Sequence, residues 1–340
     1  LKQAFGLSDF RPLQKEAIHN VLGGKDVIVC LATGGGKSLC YQLPALVLPG
    51  VTVVISPLIA LMQDQVFSLR EKGIDAVLLN STLSPTETRN ILHRLWAIKH
   101  SPIKLLYVTP EALSGSTLFP YLNRLNEQNK LSLFAIDEAH CISSWGHDFR
   151  PAFRKLSILK RFYSKVPVIA LTATATKRVR DDIASTLMLN NPEFLIATFN
   201  RPNITYEVRF KEQVPDSDVQ GDIARFLSKM KGQCGIIYCF KRTECSEIAM
   251  YLKGKGFSIE AYHAGLKNDE RSEILQNWTE GKIHIVAATV AFGMGIDKAD
   301  VRFVIHQTMP KSMESFYQES GRAGRDGKPS VSVLYYSEDD

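Results

Sequence analysis

Residues 27–46 constrain the fold of this chain more tightly than any other stretch. An apolar run, Val27 to Leu31, leads into Thr33-Gly34-Gly35-Gly36-Lys37-Ser38, and Leu39 to Leu46 then reads as a helix. A strand, a glycine-rich turn and a helix in that order are the required context of a phosphate-binding loop. The glycines let the backbone curl so that N–H groups point at phosphate oxygens. Lys37 adds positive charge at the β and γ phosphates, and the Ser38 hydroxyl suits Mg²⁺. The pattern G-x-x-x-x-G-K-[ST] fails at its first position, which is Leu31. Taken by itself, the segment also fits a glycine-rich turn with an incidental lysine.

A loop of this kind belongs to a parallel sheet, and the rest of the chain keeps the same rhythm. Short apolar runs at Val51 to Ile55, Leu105 to Val108, Leu133 to Ile136 and Val168 to Leu171 alternate with longer mixed segments, as strands do with crossover helices. The rhythm pauses over Phe199 to Asp222, where Asn200, Pro202, Asn203, Pro215, Asp216, Ser217 and Asp218 are turn and loop formers. It resumes at Gly235 to Cys239, Ser258 to Tyr262, Ile283 to Ala287 and Arg302 to His306, with a closing strand at Ser330 to Tyr336. The expected class is α/β, with two tandem lobes over residues 1–198 and 199–340, each a mainly parallel sheet flanked by helices. A chain of 340 residues suits two domains of roughly 150 to 200 residues, each with its own core.

Leu131 to Ile136 ends in Asp137-Glu138-Ala139-His140. Carboxylates at the C-terminal end of a parallel strand face the ligand crevice. Asp137 suits Mg²⁺, and Glu138 suits orienting or deprotonating the water that attacks a γ-phosphate. Without the Lys37 loop, an acidic pair favoured by a helix dipole explains the residues as well. His140 lacks a second histidine at helical spacing, so a polar link reads better than a metal ligand.

Composition narrows the class without deciding it. The net charge of +6 leans toward a polyanionic partner. The six cysteines form no C-x-x-C pair, so no zinc is expected, and buried reduced thiols in an intracellular, reducing compartment are. No apolar run approaches the roughly 18 residues of a membrane span. The chain opens on Leu1 rather than Met, so it is expected to be a trimmed piece of something longer.

With these motifs in place, the chain resembles the superfamily-two helicases, and closely the RecQ family of DNA helicases, over nearly its whole length. The motifs stand in family order: Phe10 to Gln14, the Lys37 loop, Ser56 to Gln65, Asp137 to His140, Leu171 to Thr176, Ile236 to Cys239, Tyr262 to Leu266, Ala288 to Asp297 and Gln318 to Gly327. The most RecQ-like segment is Ile142-Ser143-Ser144-Trp145-Gly146-His147-Asp148-Phe149-Arg150-Pro151. The resemblance implies two RecA-like lobes with the ATP site in the cleft between them. It implies that the aromatic-rich loop senses single-stranded DNA and couples it to hydrolysis. Trp145 and Phe149 can stack on bases while His147 and Arg150 meet phosphate. Read without the resemblance, these aromatics would be core residues.

The same likeness distributes roles. Gln14 reads the adenine edge with Arg11 nearby, although Leu7 stands where many relatives carry an aromatic. Thr33, Gly34, Gly35, Gly36, Lys37 and Ser38 hold the phosphates, and Asp297 couples nucleotide to DNA. Gln318, Arg322 and Arg325, at spacings of four and three, are expected on one helix face, with Arg325 as the arginine finger, Arg322 as a second phosphate contact and Gln318 near the attacking water. Ser56, Gln65, Thr109, Lys241, Arg242 and Thr289 are expected along the strand. For Thr172, Thr174 and Thr289, ordinary strand threonine is an equal alternative. The implied activity is Mg²⁺- and ATP-dependent DNA unwinding with 3′-to-5′ polarity, serving repair, recombination and replication. Single-stranded and forked DNA are the implied partners of a monomeric core. The implied location is the nucleus in a eukaryote or the cytoplasm and nucleoid in a bacterium. An RNA helicase or an ATP-switched scaffold is the alternative.

Overall fold

A computed structural model describes residues 1–97, 103–114, 117–146, 148–173, 175–290, 292 and 298–340. Backbone contacts divide the chain into two compact units, Leu1–Phe199 and Asn200–Asp340.

In the first unit, β1 (Val27–Cys30), β2 (Val51–Ile55), β3 (Ala76–Leu79), β4 (Leu105–Val108), β5 (Leu131–Ile136), β6 (Val168–Thr172) and β7 (Glu193–Ile196) form one seven-stranded sheet. Its order is β3-β4-β2-β5-β6-β1-β7, and every neighbouring pair is parallel. Successive residues of one strand feed opposite cores. Ile28 and Cys30 pack with Val53, Ile55 and Phe153 on one face, and Val27 and Val29 pack with Val54, Ala17 and Met62 on the other. Both faces being buried is why these strands read as unbroken apolar runs. Each buried Val, Leu or Ile contributes about 1.5–3 kcal/mol relative to exposure.

The entrance to β1 is fixed by a buried ion pair. Lys160 Nζ lies 2.9 Å from Asp26 Oδ1, and the same carboxylate accepts from Val168 N and Asn190 N, each at 2.8 Å. These bonds tie β1 to β6 and to the approach to β7, which holds the strand that carries the glycine-rich loop.

The second unit contains β8 (Ile204–Phe210), β9 (Cys234–Tyr238), β10 (Ile259–Tyr262), β11 (Ile285–Ala288), β12 (Val301–His306) and β13 (Ser330–Tyr336). They form a parallel sheet in the order β10-β11-β9-β12-β13-β8. β8 lies inside the stretch expected to be turn and loop. There the usual pattern is inverted. Tyr206, Val208 and Phe210 are exposed, while Arg209 turns back to pair with Asp222 at 2.8 Å, and Tyr335 Oη donates to the same carboxylate at 2.6 Å.

All six cysteines are buried and free. No helix among the described residues is long and apolar enough to cross a membrane.

Candidate nucleotide site and the loop beside it

The glycine-rich loop leaves the C-terminal end of β1 and enters the helix Leu39–Val47. Gly34 and Gly36 have φ of 78° and 76°, in the left-handed region that glycine adopts without steric cost. A Cβ on Gly36 would also sit 2.3 Å from Gln14 Nε2. Lys37 Nζ donates to Leu31 O across 3.3 Å, folding the lysine over its own loop.

Gln14 is buried, and its amide serves this loop. Nε2 donates to Gly36 O at 3.0 Å, and Oε1 accepts from Arg11 N at 2.8 Å. The Arg11 guanidinium donates to Gly34 O. Both residues assigned to adenine thus brace the phosphate loop. The immediate partners of Gln14 are backbone groups, because a buried amide must satisfy both ends.

Asp137 directly follows β5, which lies two strands along the sheet from β1. Burial, with the neighbouring Glu138 carboxylate, holds its carboxyl well above the usual carboxylate range, while Lys37 pulls it back down. Glu138 sits at φ 50°, ψ 45°, a left-handed conformation unusual for a residue with a side chain and common at functional sites. An oxygen-only set, the Ser38 hydroxyl with the Asp137 carboxylate, fits a hard cation such as Mg²⁺.

From this acidic pair a polar chain runs toward the aromatic-rich loop. His140 Nδ1 is 3.3 Å from Glu138 Oε2 and 3.0 Å from Thr172 Oγ1 on β6. Nε2 faces Cys141 Sγ at 3.7 Å, and that thiol donates to Asp148 Oδ2, also at 3.7 Å. Asp148 binds Arg150 Nη2 at 2.9 Å, and Arg150 Nη1 donates to Pro57 O after β2 at 3.4 Å. Burial acts to raise the Asp148 carboxyl, but hydrogen bonds from Arg150 hold it below its ordinary value. Trp145 and Phe149 point outward, 59% and 40% exposed. Read without family context, these aromatics would be placed in the core, and the structure corrects that. Over the Trp145 ring lies the guanidinium of Arg178, 3.2 Å from the centroid. Sequence reasoning missed Arg178, whose segment carries no motif signal.

Three residues expected along a nucleic-acid strand are turned inward. Ser56 is buried, and its hydroxyl has no hydrogen-bond partner among the described residues. Thr109 is buried, and its Oγ1 accepts from Ala112 N at 3.2 Å, capping the helix Pro110–Ser114. Gln65 donates to Ser38 Oγ at 3.2 Å and accepts from Tyr41 Oη at 2.7 Å, so it belongs to the phosphate loop. The Thr109 hydroxyl after β4 is drawn into local backbone bonding, and sequence does not separate that from phosphate contact.

In the second unit, Lys241 and Arg242 are exposed where β9 gives way to the helix Arg242–Gly254. Thr289 follows β11, the neighbour of β9, so the three share one sheet edge. Gln318 lies on the helix Met313–Ser320, but that helix ends before Arg322 and Arg325. The expectation of one helical face is therefore corrected. Gly321 closes the helix, Gly324 and Gly327 adopt φ of 59° and 81°, and both arginines stand on successive turns. Those turns are held from outside. Arg201 donates to Gly321 O at 3.2 Å and to Ala323 O and Gly324 O at 3.0 Å, and Asn203 Nδ2 donates to Gly324 O at 2.9 Å. Asn203 was legible only as a loop former and Arg201 not at all, since nothing local announces that they clamp a segment some 120 residues away. His147, Thr174 and Asp297 lie outside the described residues.

The profile of the DEAD/DEAH box helicases matches residues 11–183, and that of the helicase conserved C-terminal domain matches residues 219–327. Over 100% of its length the chain is 48% identical to ATP-dependent DNA helicase Q5 of Rattus norvegicus, covering 36% of that protein. Over 98% it is 47% identical to ATP-dependent DNA helicase Q-like 2 of Arabidopsis thaliana, covering 47% of it. The chain thus spans about half or less of the length of these relatives. In fold it is similar to Mycobacterium smegmatis helicase Lhr bound to ssDNA and AMP-PNP, with a TM-score of 0.71 at 20% identity over 97% of this chain and 46% of that one. It is also similar to S. cerevisiae Dbp5 bound to RNA and ADP BeF3, with a TM-score of 0.70 at 17% identity over 100% and 86%. Two parallel α/β units and both helicase profiles in order converge with this likeness to Q-type helicases over the length of the chain: the chain belongs to the DEAD/DEAH box helicases.

Proposed function

We propose that this chain is the ATP-hydrolysing core of a DNA helicase that moves 3′ to 5′ along single-stranded DNA and serves repair, recombination and replication. The observation that carries the reading is the run of close polar contacts from Glu138 through His140, Cys141 and Asp148 to Arg150, beside the exposed Trp145. A nucleotide-sensing carboxylate and a base-stacking loop share one network, which is what coupling DNA to hydrolysis requires. Lys37 and the loop N–H groups bind the phosphates, and Glu138 orients the attacking water. Ser38 and Asp137 would hold Mg²⁺, which supplies charge neutralisation at the phosphates when bound. Arg322 and Arg325 are assigned to the charge that builds on the γ-phosphate.

The test is steady-state ATP hydrolysis with single-stranded DNA or RNA of equal length. Stronger stimulation by DNA is expected, with loss of turnover in Lys37→Ala and loss of stimulation in Trp145→Ala. Preferential stimulation by RNA would select the RNA-helicase reading, and absence of turnover in saturating DNA, ATP and Mg²⁺ would select an ATP-switched scaffold.

A further inference from the structure

The aromatic face that the proposed mechanism gives to a base is already covered. Arg178 stacks on Trp145 from the first turn of the helix Lys177–Thr186, whose N-cap Thr176 accepts from Val179 N. That helix packs against residues 139–142, so ring and guanidinium are presented by separate elements of the same unit. Arg178 is exposed and forms no ion pair with a carboxylate among the described residues. Two nearby arginines are compensated, Arg150 by Asp148 at 2.9 Å and Arg154 by Asp182 at 3.7 Å, whereas Lys177 and Arg178 have no carboxylate partner among the described residues. Arg178 therefore carries uncompensated charge at the loop, and the contact that holds it is one a ligand can displace.

We infer that Arg178 occupies the Trp145 ring as a stand-in for a base, and exchanges the ring for a backbone phosphate when a strand binds. Stacking of a base on an exposed aromatic is stronger than an exposed cation–π contact, so the base wins the face. The released guanidinium lies beside the nucleotide that displaced it, and its planar donor fork suits a phosphate. Arg178 is thus a positioning residue for the free loop and a phosphate ligand of the bound strand. The inference rests on the reading of Trp145 as the DNA sensor and adds the exchange to it.

The chain has three tryptophans, and Trp278 is fully buried. In a Trp96→Phe background, Trp145 is the one exposed indole. Arg178→Ala and Arg178→Lys are compared with this parent by tryptophan emission, with and without saturating oligo(dT), and by the salt dependence of oligo(dT) binding. Arg178→Ala is expected to shift emission in the strand-free protein and to match the parent once DNA is saturating. Its log–log salt slope should fall by about 0.7, the loss of one single-strand phosphate contact, and Arg178→Lys should keep the parent slope. Unmoved emission and slope in Arg178→Ala would make the contact incidental, leaving the sensor reading intact if Trp145→Ala still loses DNA-stimulated ATPase. Full DNA stimulation in Trp145→Ala would overturn the sensor reading and the exchange together.

Discussion

Asp137, the carboxylate proposed to hold a cation, sits where its charged form is disfavoured. Its raised pKa means that burial and the Glu138 charge together outweigh the attraction of Lys37. A carboxyl whose folded pKa lies above its unfolded value contributes stability below the unfolded pKa and loses it as pH rises through the folded pKa. Asp137→Asn, which keeps an acceptor for Glu138 N, should therefore raise the Mg²⁺-free thermal midpoint at pH 8 by several degrees, at about 2–4 °C per kcal/mol for a unit of this size. The gain should be small near pH 4, and hydrolysis should be lost at both. An equal or lower midpoint at pH 8 would show that the site does not strain the charged form. Gly36 makes a complementary case in the backbone. Gly36→Ala meets both a positive φ and the Gln14 amide, so affinity for a fluorescent ATP analogue should drop about tenfold or more, the effect of roughly 1–2 kcal/mol of left-handed strain plus the displaced brace. Unchanged affinity would mean that the loop tolerates rearrangement.

At the scale of elements, the clamp on the Arg322–Gly327 turns carries the clearest consequence. Arg201→Ala removes three charge-assisted bonds to carbonyls, each worth about 1.5–3 kcal/mol. On the proposed role of Arg325, turnover should fall by about tenfold or more through misplacement alone, with ATP affinity at the Lys37 loop nearly unchanged. Equal loss of affinity and turnover in this variant would contradict a positioning role. This clamp also marks how far the sequence could be read. Strands buried on both faces, such as Val51–Ile55 and Leu105–Val108, announce themselves as apolar runs with the observed bounds. The placement of Lys37, Asp137 and Glu138 after strands was equally legible, because glycine, lysine and carboxylates follow strands in a fixed grammar. β8 was not, since its apolar residues face outward and Arg209 faces the Asp222 pair. Nor were Arg178, the inward turn of Ser56 or the Arg201 clamp, which depend on partners distant in sequence. The expected continuation of the helix through Arg325 failed for a local reason. Gly321 and Gly324 end a helix more readily than the arginine spacing sustains one.

For the molecule as a whole, two sheets of the same parallel type arise from unlike sequences, each carrying candidate site residues where strands end. The first unit holds the phosphate loop, the acidic pair and the aromatic-rich loop, and the second holds the clamped arginines and the edge formed by Lys241, Arg242 and Thr289. A motor needs more than binding and hydrolysis, and the relatives extend well beyond the matched region, so unwinding efficiency is a poorer test of this chain than movement along a strand. The direct measurement is ATP-dependent displacement of streptavidin from biotinylated oligo(dT), with biotin at the 5′ or the 3′ end. A 3′-to-5′ motor displaces faster from the 5′ end in ATP and Mg²⁺, and Lys37→Ala should show no displacement above background. Equal rates from both ends, or displacement that persists without hydrolysis, would contradict a directional ATP-driven motor.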